Sequence, residues 1–120
     1  MASARPTARL RIRAIFDTGL VLGPGKADLL EAVRETGSIS AAGKRMKMSY
    51  KRAWDLIDAM NRHFRTPVVE TSKGGSGGGG ARLTPFGADV LAAYRRIETR
   101  SAEAVDAELR WLHARLRSGA

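Results

Sequence analysis

The chain has 120 residues, with 21 Lys and Arg against 12 Asp and Glu, a formal charge of +9 and 43% hydrophobic residues. That length suits one domain and that composition a folded one, and the positive excess points to a polyanion, either nucleic acid or an acidic membrane surface. Without cysteine there is no disulfide framework, thiolate nucleophile or Cys-based zinc site, and His63 and His113 lie too far apart for a helical metal pair. No apolar run approaches the roughly 20 residues that span a bilayer. The opening Met1–Arg13 stretch has no apolar core ahead of a cleavage site, so the expected compartment is the cytoplasm.

Residues 9–16 alternate, with Leu10, Ile12, Ala14 and Phe16 on one side and Arg9, Arg11 and Arg13 on the other, which predicts a half-buried strand. Asp17-Thr18-Gly19 signals a turn, and Leu20-Val21-Leu22 returns as a second strand. Gly23-Pro24-Gly25 breaks the pattern; from Lys26 the spacing becomes helical, through Leu29, Leu30 and Val33, to a C-cap at Gly37. Two short helical segments follow. Ser40 is positioned to cap the first, over about 41–46, and Ser49 the second, across a turn at Lys47-Met48. Ala53, Ile57, Met60 and Phe64 form an apolar stripe on the second segment, which Pro67 ends. Short strands at 68–71 and 82–84 flank a loop, Ser72–Ala81, that holds six of the chain's 13 glycines. Thr84 and Pro85 then open a closing helix that runs to about Arg117, roughly 50 Å if continuous.

The order strand, helix, helix, turn, helix, strand, loop, strand, helix is that of a winged helix-turn-helix, a mainly α fold with a small β component. The chemistry fits. Between Glu35 and Asp55 no acid occurs, while Lys44, Arg45, Lys47, Lys51 and Arg52 do. In a helix-turn-helix the start of the second helix enters the major groove, where a carboxylate would face phosphates. Lys51 and Arg52 can donate to guanine or to phosphate, Tyr50 can bond a phosphate or pack on a thymine methyl, and Ser49 can cap and contact the backbone. Asp55 either accepts from a cytosine amine or orients Arg52 or Lys51, and orientation is the favoured role. Ser38, Ser40, Lys44, Arg45, Lys47, Lys73, Gly74, Gly75, Gly78 and Arg82 are candidate contacts to the DNA backbone. Trp54, beside Ala53 and Ile57, is assigned to the core, as are Met46, Met48 and Met60. The glycine loop is not a Walker loop, because its lysine precedes the glycines. Neither GxSxG, HExxH nor a paired-carboxylate motif occurs, so no enzyme, metal or cofactor is expected.

Gly37-Ser-Ile-Ser40, Ser49-Tyr-Lys51, Ala53-Trp-Asp55, Met60-Asn61 and the glycine loop leading into Leu83-Thr84-Pro85-Phe86-Gly87 closely resemble the DNA-binding half of the ModE family. These are molybdate-responsive transcription regulators with a LysR-like winged helix, and the likeness runs from about residue 9 to 100. It implies a homodimeric regulator that contacts operator DNA through the helix starting at Ser49 and through the wing. The family senses molybdate through C-terminal domains that this sequence does not contain, so molybdate sensing is not carried over. Met1 and the Arg-Ser-Gly-Ala end favour a stand-alone member.

In the closing helix Phe86, Val90, Tyr94, Ile97, Val105, Leu109, Leu112 and Leu116 form a coiled-coil-like seam with a polar break at Ser101. Its first half is expected to pack on the domain and its second half to pair with another copy; folding back is the alternative. The layout is therefore a DNA-binding domain at 1–84, comprising a hairpin at 9–22, a helix-turn-helix at 40–65 and a wing at 68–84, followed by a dimerisation helix at 85–120. The function expected is sequence-specific binding of double-stranded DNA by a homodimer at an inverted repeat, with no membrane partner. A small-oxyanion sensor and a non-specific architectural DNA-binding protein are the alternatives.

Overall fold

The computed structural model of the chain describes residues 8–72 and 80–117. A two-residue hairpin opens the fold: β1 (Ala14–Ile15) pairs antiparallel with β2 (Val21–Leu22), Ala14 opposite Leu22 and Ile15 opposite Val21. The strand expected over 9–16 is cut this short because its partner ends where Gly23 opens the next helix. Leu10, Ile12 and Ala14 are still half-buried and Arg9, Arg11 and Arg13 exposed, so the alternation persists without a ladder. Phe16, expected inward, is exposed at the turn, where its N–H donates to the Leu20 carbonyl at 2.8 Å.

Helix α1 (Pro24–Thr36) starts two residues before Lys26, because Pro24 occupies the first helical position, where its missing N–H costs nothing. It ends at Gly37, whose φ of +72° is the left-handed geometry a C-cap requires. Helix α2 (Ile39–Arg45) is capped by Ser38, not Ser40: the Ser38 hydroxyl accepts from the Ala41 N–H at 3.1 Å. The earlier start brings Ile39 into the core. After a turn in which Lys47 takes a φ of +57°, Ser49 caps α3 (Tyr50–His63) and accepts from the Arg52 N–H at 3.1 Å. Ala53, Ile57 and Met60 are buried, and Phe64 meets Phe86 edge-on at 5.3 Å, as the stripe predicted.

Asn61 steers the chain out of α3. Its Oδ1 accepts from the N–H groups of Val68 and Val69 at 2.8 and 3.2 Å, and its Nδ2 donates to the Val69 carbonyl at 3.0 Å. The wing hairpin follows: β3 (Val69–Ser72) and β4 (Gly80–Leu83) run antiparallel, Val69 opposite Leu83 and Ser72 opposite Gly80. The Ala81 N–H donates to the Gly37 carbonyl at 2.9 Å, tying the wing to the end of α1. Thr84, buried, closes the wing. Its N–H donates to Val68, and its hydroxyl donates to the Pro67 carbonyl at 2.7 Å while accepting from the Gly87 N–H at 2.8 Å.

Helix α4 (Pro85–Ala104) packs Val90, Leu91 and Tyr94 onto a core formed mainly by Leu29, Leu30, Val33, Met60 and Val68. The Tyr94 hydroxyl donates to the Ile12 carbonyl at 2.7 Å. Arg95 reaches Asp28 at 2.9 Å and Glu31 at 3.1 Å on α1, and Glu98 at 3.0 Å. Burial works against its charge, but the three carboxylates outweigh that and hold the guanidinium pKa above its ordinary value.

The closing helix is not continuous. Val105, at φ −112° and ψ 11°, separates α4 from α5 (Asp106–His113). The apolar spacing runs through this point unchanged, but Asp106 and Glu108 fall in the first turn of α5, where negative charge favours a new helix start. Nothing in α5 is buried, and the molecule measures 58 × 31 × 28 Å, so the arm stands away from the domain instead of folding back. Among the described residues no helix is long and apolar enough to cross a membrane.

Candidate nucleic-acid interface

Helix geometry sorts the start of α3 into three faces. At about 100° per residue, with Ala53, Ile57 and Met60 turned to the core, Tyr50 and Trp54 fall on one flank, Lys51 and Asp55 lie outermost, and Arg52 falls on the opposite flank. The outermost pair is joined: Lys51 Nζ lies 2.8 Å from Asp55 Oδ2, with the Lys51 side chain 83% exposed. Of the orienting roles open to Asp55, the one seen is to Lys51 and not to Arg52. Ser49 is occupied as a hydrogen-bond acceptor by the cap, which leaves its hydroxyl proton free to donate.

The candidate backbone contacts divide three ways. Ser40, Lys44 and Lys47 are exposed, and Ser38 lies beside them as the cap of α2. Arg45 pairs with Glu35, and Arg82 with Glu70 directly across the wing at 3.2 Å. Such exposed pairs contribute at most about 1 kcal/mol, so either arginine can exchange its carboxylate for a phosphate at little cost. Lys73, Gly74, Gly75 and Gly78 lie outside the described residues.

Beside Arg52 lies a group that the sequence did not reveal. Lys26, in the first turn of α1, donates from Nζ to the Val21 carbonyl at 2.6 Å. Its pKa is pushed below the ordinary lysine value, first by burial and then by the positive charges of Arg13 and Arg52. The Arg13 stem lies over Gly23, where a Cβ would sit only 2.9 Å from Arg13 Cγ. Among the described residues no carboxylate is within ion-pair distance of Arg13, Lys26 or Arg52. No local pattern links positions 13, 26 and 52; only the Arg alternation, which placed Arg13 outward, was a usable signal.

Trp54 is not core. It is 43% exposed, and with Tyr50 it lines a groove of about 470 Å³ together with Ser38, Ile39, Ser40, Thr71, Ser72 and Gly80. One position from the buried stripe, an indole has two solutions, and this one leaves the ring on the flank toward the wing. Met60 is buried, and Met46 and Met48 pack against the core as expected.

The expected dimer residues also divide. Val90 and Tyr94 are buried within their own domain, Tyr94 to 1% exposure, so they are not available to a second copy. Ile97, Leu112 and Leu116 are exposed, Leu116 to 68%, and Val105 and Leu109 are half-buried. Trp111, outside the expected seam, is exposed as well, with the Arg115 guanidinium 3.9 Å from its ring centroid. Among the described residues no group of three or more His, Asp or Glu is arranged to hold a metal ion.

Residues 26–88 match the family model described as bacterial regulatory helix-turn-helix protein, lysR family. The chain is 49% identical over 81 residues, 68% of its length, to the molybdenum-pterin-binding protein MopB of Rhodobacter capsulatus, covering 30% of that protein. It is 40% identical over 106 residues, 88% of its length, to the molybdenum transport protein ModE of Azotobacter vinelandii, covering 38% of it. It is also 41% identical over 75 residues, 62% of its length, to the DNA-binding transcriptional dual regulator ModE of Escherichia coli K12, covering 29% of it. The chain thus spans about a third of the length of the curated relatives it matches.

Proposed function

Because the chain belongs to the lysR family of bacterial regulatory helix-turn-helix proteins, we propose that it is a transcription regulator. In this reading it acts in the cytoplasm and binds double-stranded DNA as a homodimer at inverted-repeat operators. The observation that carries this reading is the first turn of α3, where Tyr50, Lys51 and Arg52 are all exposed, within a stretch that holds no acid from Thr36 to Trp54. In the major groove Lys51, held extended by Asp55, donates to guanine O6 or N7, and Tyr50 packs on a thymine methyl or bonds a phosphate. Arg13, Lys26 and Arg52 form one flank of this helix; a backbone phosphate there relieves the crowding of three cations. Arg45 and Arg82 exchange their carboxylates for phosphates at the two sides.

The exposed apolar arm pairs with that of a second copy through Ile97, Val105, Leu109, Leu112 and Leu116. A two-fold dimer of this kind sets two α3 helices about 34 Å apart, in successive major grooves. Two of the relatives carry molybdenum in their names, and genes for molybdenum uptake or use are the proposed targets.

Charge reversal tests the reading helix. Lys51→Glu is expected to abolish retention of a native promoter duplex in gel-shift titrations and to leave the thermal unfolding curve unchanged. Retained binding by this variant would remove α3 from the interface.

A further inference from the structure

The two flanks of α3 carry opposite chemistry. On one side stand Arg13, Lys26 and Arg52; on the other, the groove lined by Tyr50 and Trp54 has no charged side chain among the described residues. Its walls are two exposed aromatic rings and Ile39, and its rim carries the hydroxyls of Ser38, Ser40, Tyr50, Thr71 and Ser72. Two of these are already engaged as acceptors, Ser38 by the Ala41 N–H and Ser72 by the Gly80 N–H at 3.3 Å, and both keep a proton to donate. An exposed Trp on a helix that otherwise follows its buried stripe leaves part of a large apolar face in water, uncovered by any of the described residues.

We propose that this groove receives the sugar-phosphate backbone of one strand of duplex DNA, with the Trp54 indole against a deoxyribose and the rim hydroxyls donating to its phosphate. Trp54 thereby becomes a DNA-positioning contact that sets how α3 tilts in the major groove. A free oxyanion does not suit a pocket whose described lining carries no cation, and a protein partner would have to compete with DNA for the surface between the reading helix and the wing. The deoxyribose-phosphate unit matches the groove on both counts: its sugar face is apolar and its phosphate oxygens accept hydrogen bonds. The inference rests on the DNA-binding reading and refines it.

The test uses the full chain and a 30-base-pair random-sequence duplex, since a backbone contact does not depend on sequence. Trp54→Ala is expected to bind about tenfold more weakly than the unmodified protein, the loss typical of removing one aromatic anchor from an interface. Trp54→Phe should recover most of that loss. The slope of log affinity against log salt should stay the same for Trp54→Ala, because no cation is removed, whereas Lys51→Ala should flatten it by about 1. Unfolding curves of all three variants establish that they are folded. Equal binding by Trp54→Ala overturns the inference and leaves the DNA reading intact. A flattened slope for Trp54→Ala overturns it too, since the loss would then come from displaced cations. A Trp54-dependent preference of the unmodified protein for a 30-nucleotide single strand over the duplex overturns it in favour of base stacking. No binding of the duplex by the unmodified protein at low salt removes the underlying reading itself.

Discussion

At Gly87 the first turn of α4 runs so close to Val68 that any Cβ would overlap that residue's backbone carbonyl. Thr84 sits three residues earlier and holds both sides of the junction, bonding Pro67, Val68 and Gly87. Gly87→Ala should therefore destabilise the protein by about 3 kcal/mol in denaturant titrations, because the carbonyl is fixed by its own bond to Thr84 and has nowhere to move. Wild-type stability in that variant would mean that the wing and α4 are less firmly joined than this geometry requires. Lys26 gives a second residue-scale prediction. Its pKa is depressed in the folded state, so unfolding takes up a proton, and the stability penalty is fully present below the folded pKa and fades as pH rises toward 10.5. The stability of the wild type relative to Lys26→Gln should rise between pH 7 and pH 10, on top of a pH-independent loss in the variant from the missing bond to the Val21 carbonyl. Tyr94, whose pKa is raised first by burial and then by Glu98, contributes stability that is lost only as the pH rises beyond 10, and it is common to both proteins in the comparison. The same variant should bind duplex DNA more weakly at neutral pH, because the crowded cation is the one a phosphate relieves. Motif residues such as Thr84 and Gly87 were visible in the sequence as a pattern, but what they touch was not: a cap is local, whereas the carbonyl of Val68 is 19 residues away from Gly87.

The elements explain which readings succeeded. Ser49, Thr84, Gly37 and the stripe of Ala53, Ile57 and Met60 are local or periodic signals, and each marks a helix end or a buried face. Periodicity reports which face of a helix is apolar and is silent about what covers that face. Hence Tyr94 and Leu116 lie on one seam, yet the first is buried by Leu91's domain and the second is open to solvent. Trp54 fails for a related reason, since one turn of a helix offers an indole both the core and its edge. The break at Val105 was masked because the apolar spacing continues across it. The exposed half of the seam yields an element-scale prediction. Leu112→Asp combined with Leu116→Asp should convert a dimer into a monomer in sedimentation experiments without lowering the unfolding midpoint of the domain, since α5 buries none of its residues. A variant that still sediments as a dimer would place the contact on another surface.

Across the whole molecule the charge is uneven. Residues 1–66 carry 13 basic and 6 acidic side chains, or +7, and residues 67–120 carry 8 and 6, or +2, which together make the net +9. Much of that excess lies on the helix-turn-helix side, where Arg13, Lys44, Lys47, Lys51 and Arg52 are exposed and Lys26 is half-buried, while α4 and α5 together are nearly balanced. A dimer making roughly 6–10 phosphate contacts should lose about 10³–10⁵ in affinity between 50 and 200 mM salt. A weak salt dependence would mean that apolar contacts dominate the interface. The winged architecture as a whole was legible because helix caps, glycines and apolar stripes act within one element. The cation flank and the aromatic groove were not, because each is assembled from segments far apart in the chain.

The most direct measurement is footprinting of bound sites across the genome of the source organism, with the wild-type protein and with Lys51→Glu. The wild type should occupy a limited set of promoter sites, each an inverted repeat with half-sites one helical turn, about 34 Å, apart, and Lys51→Glu should lose them all. Occupancy spread evenly over the genome, or sites that survive in Lys51→Glu, would contradict a dimer that reads DNA through the first turn of α3.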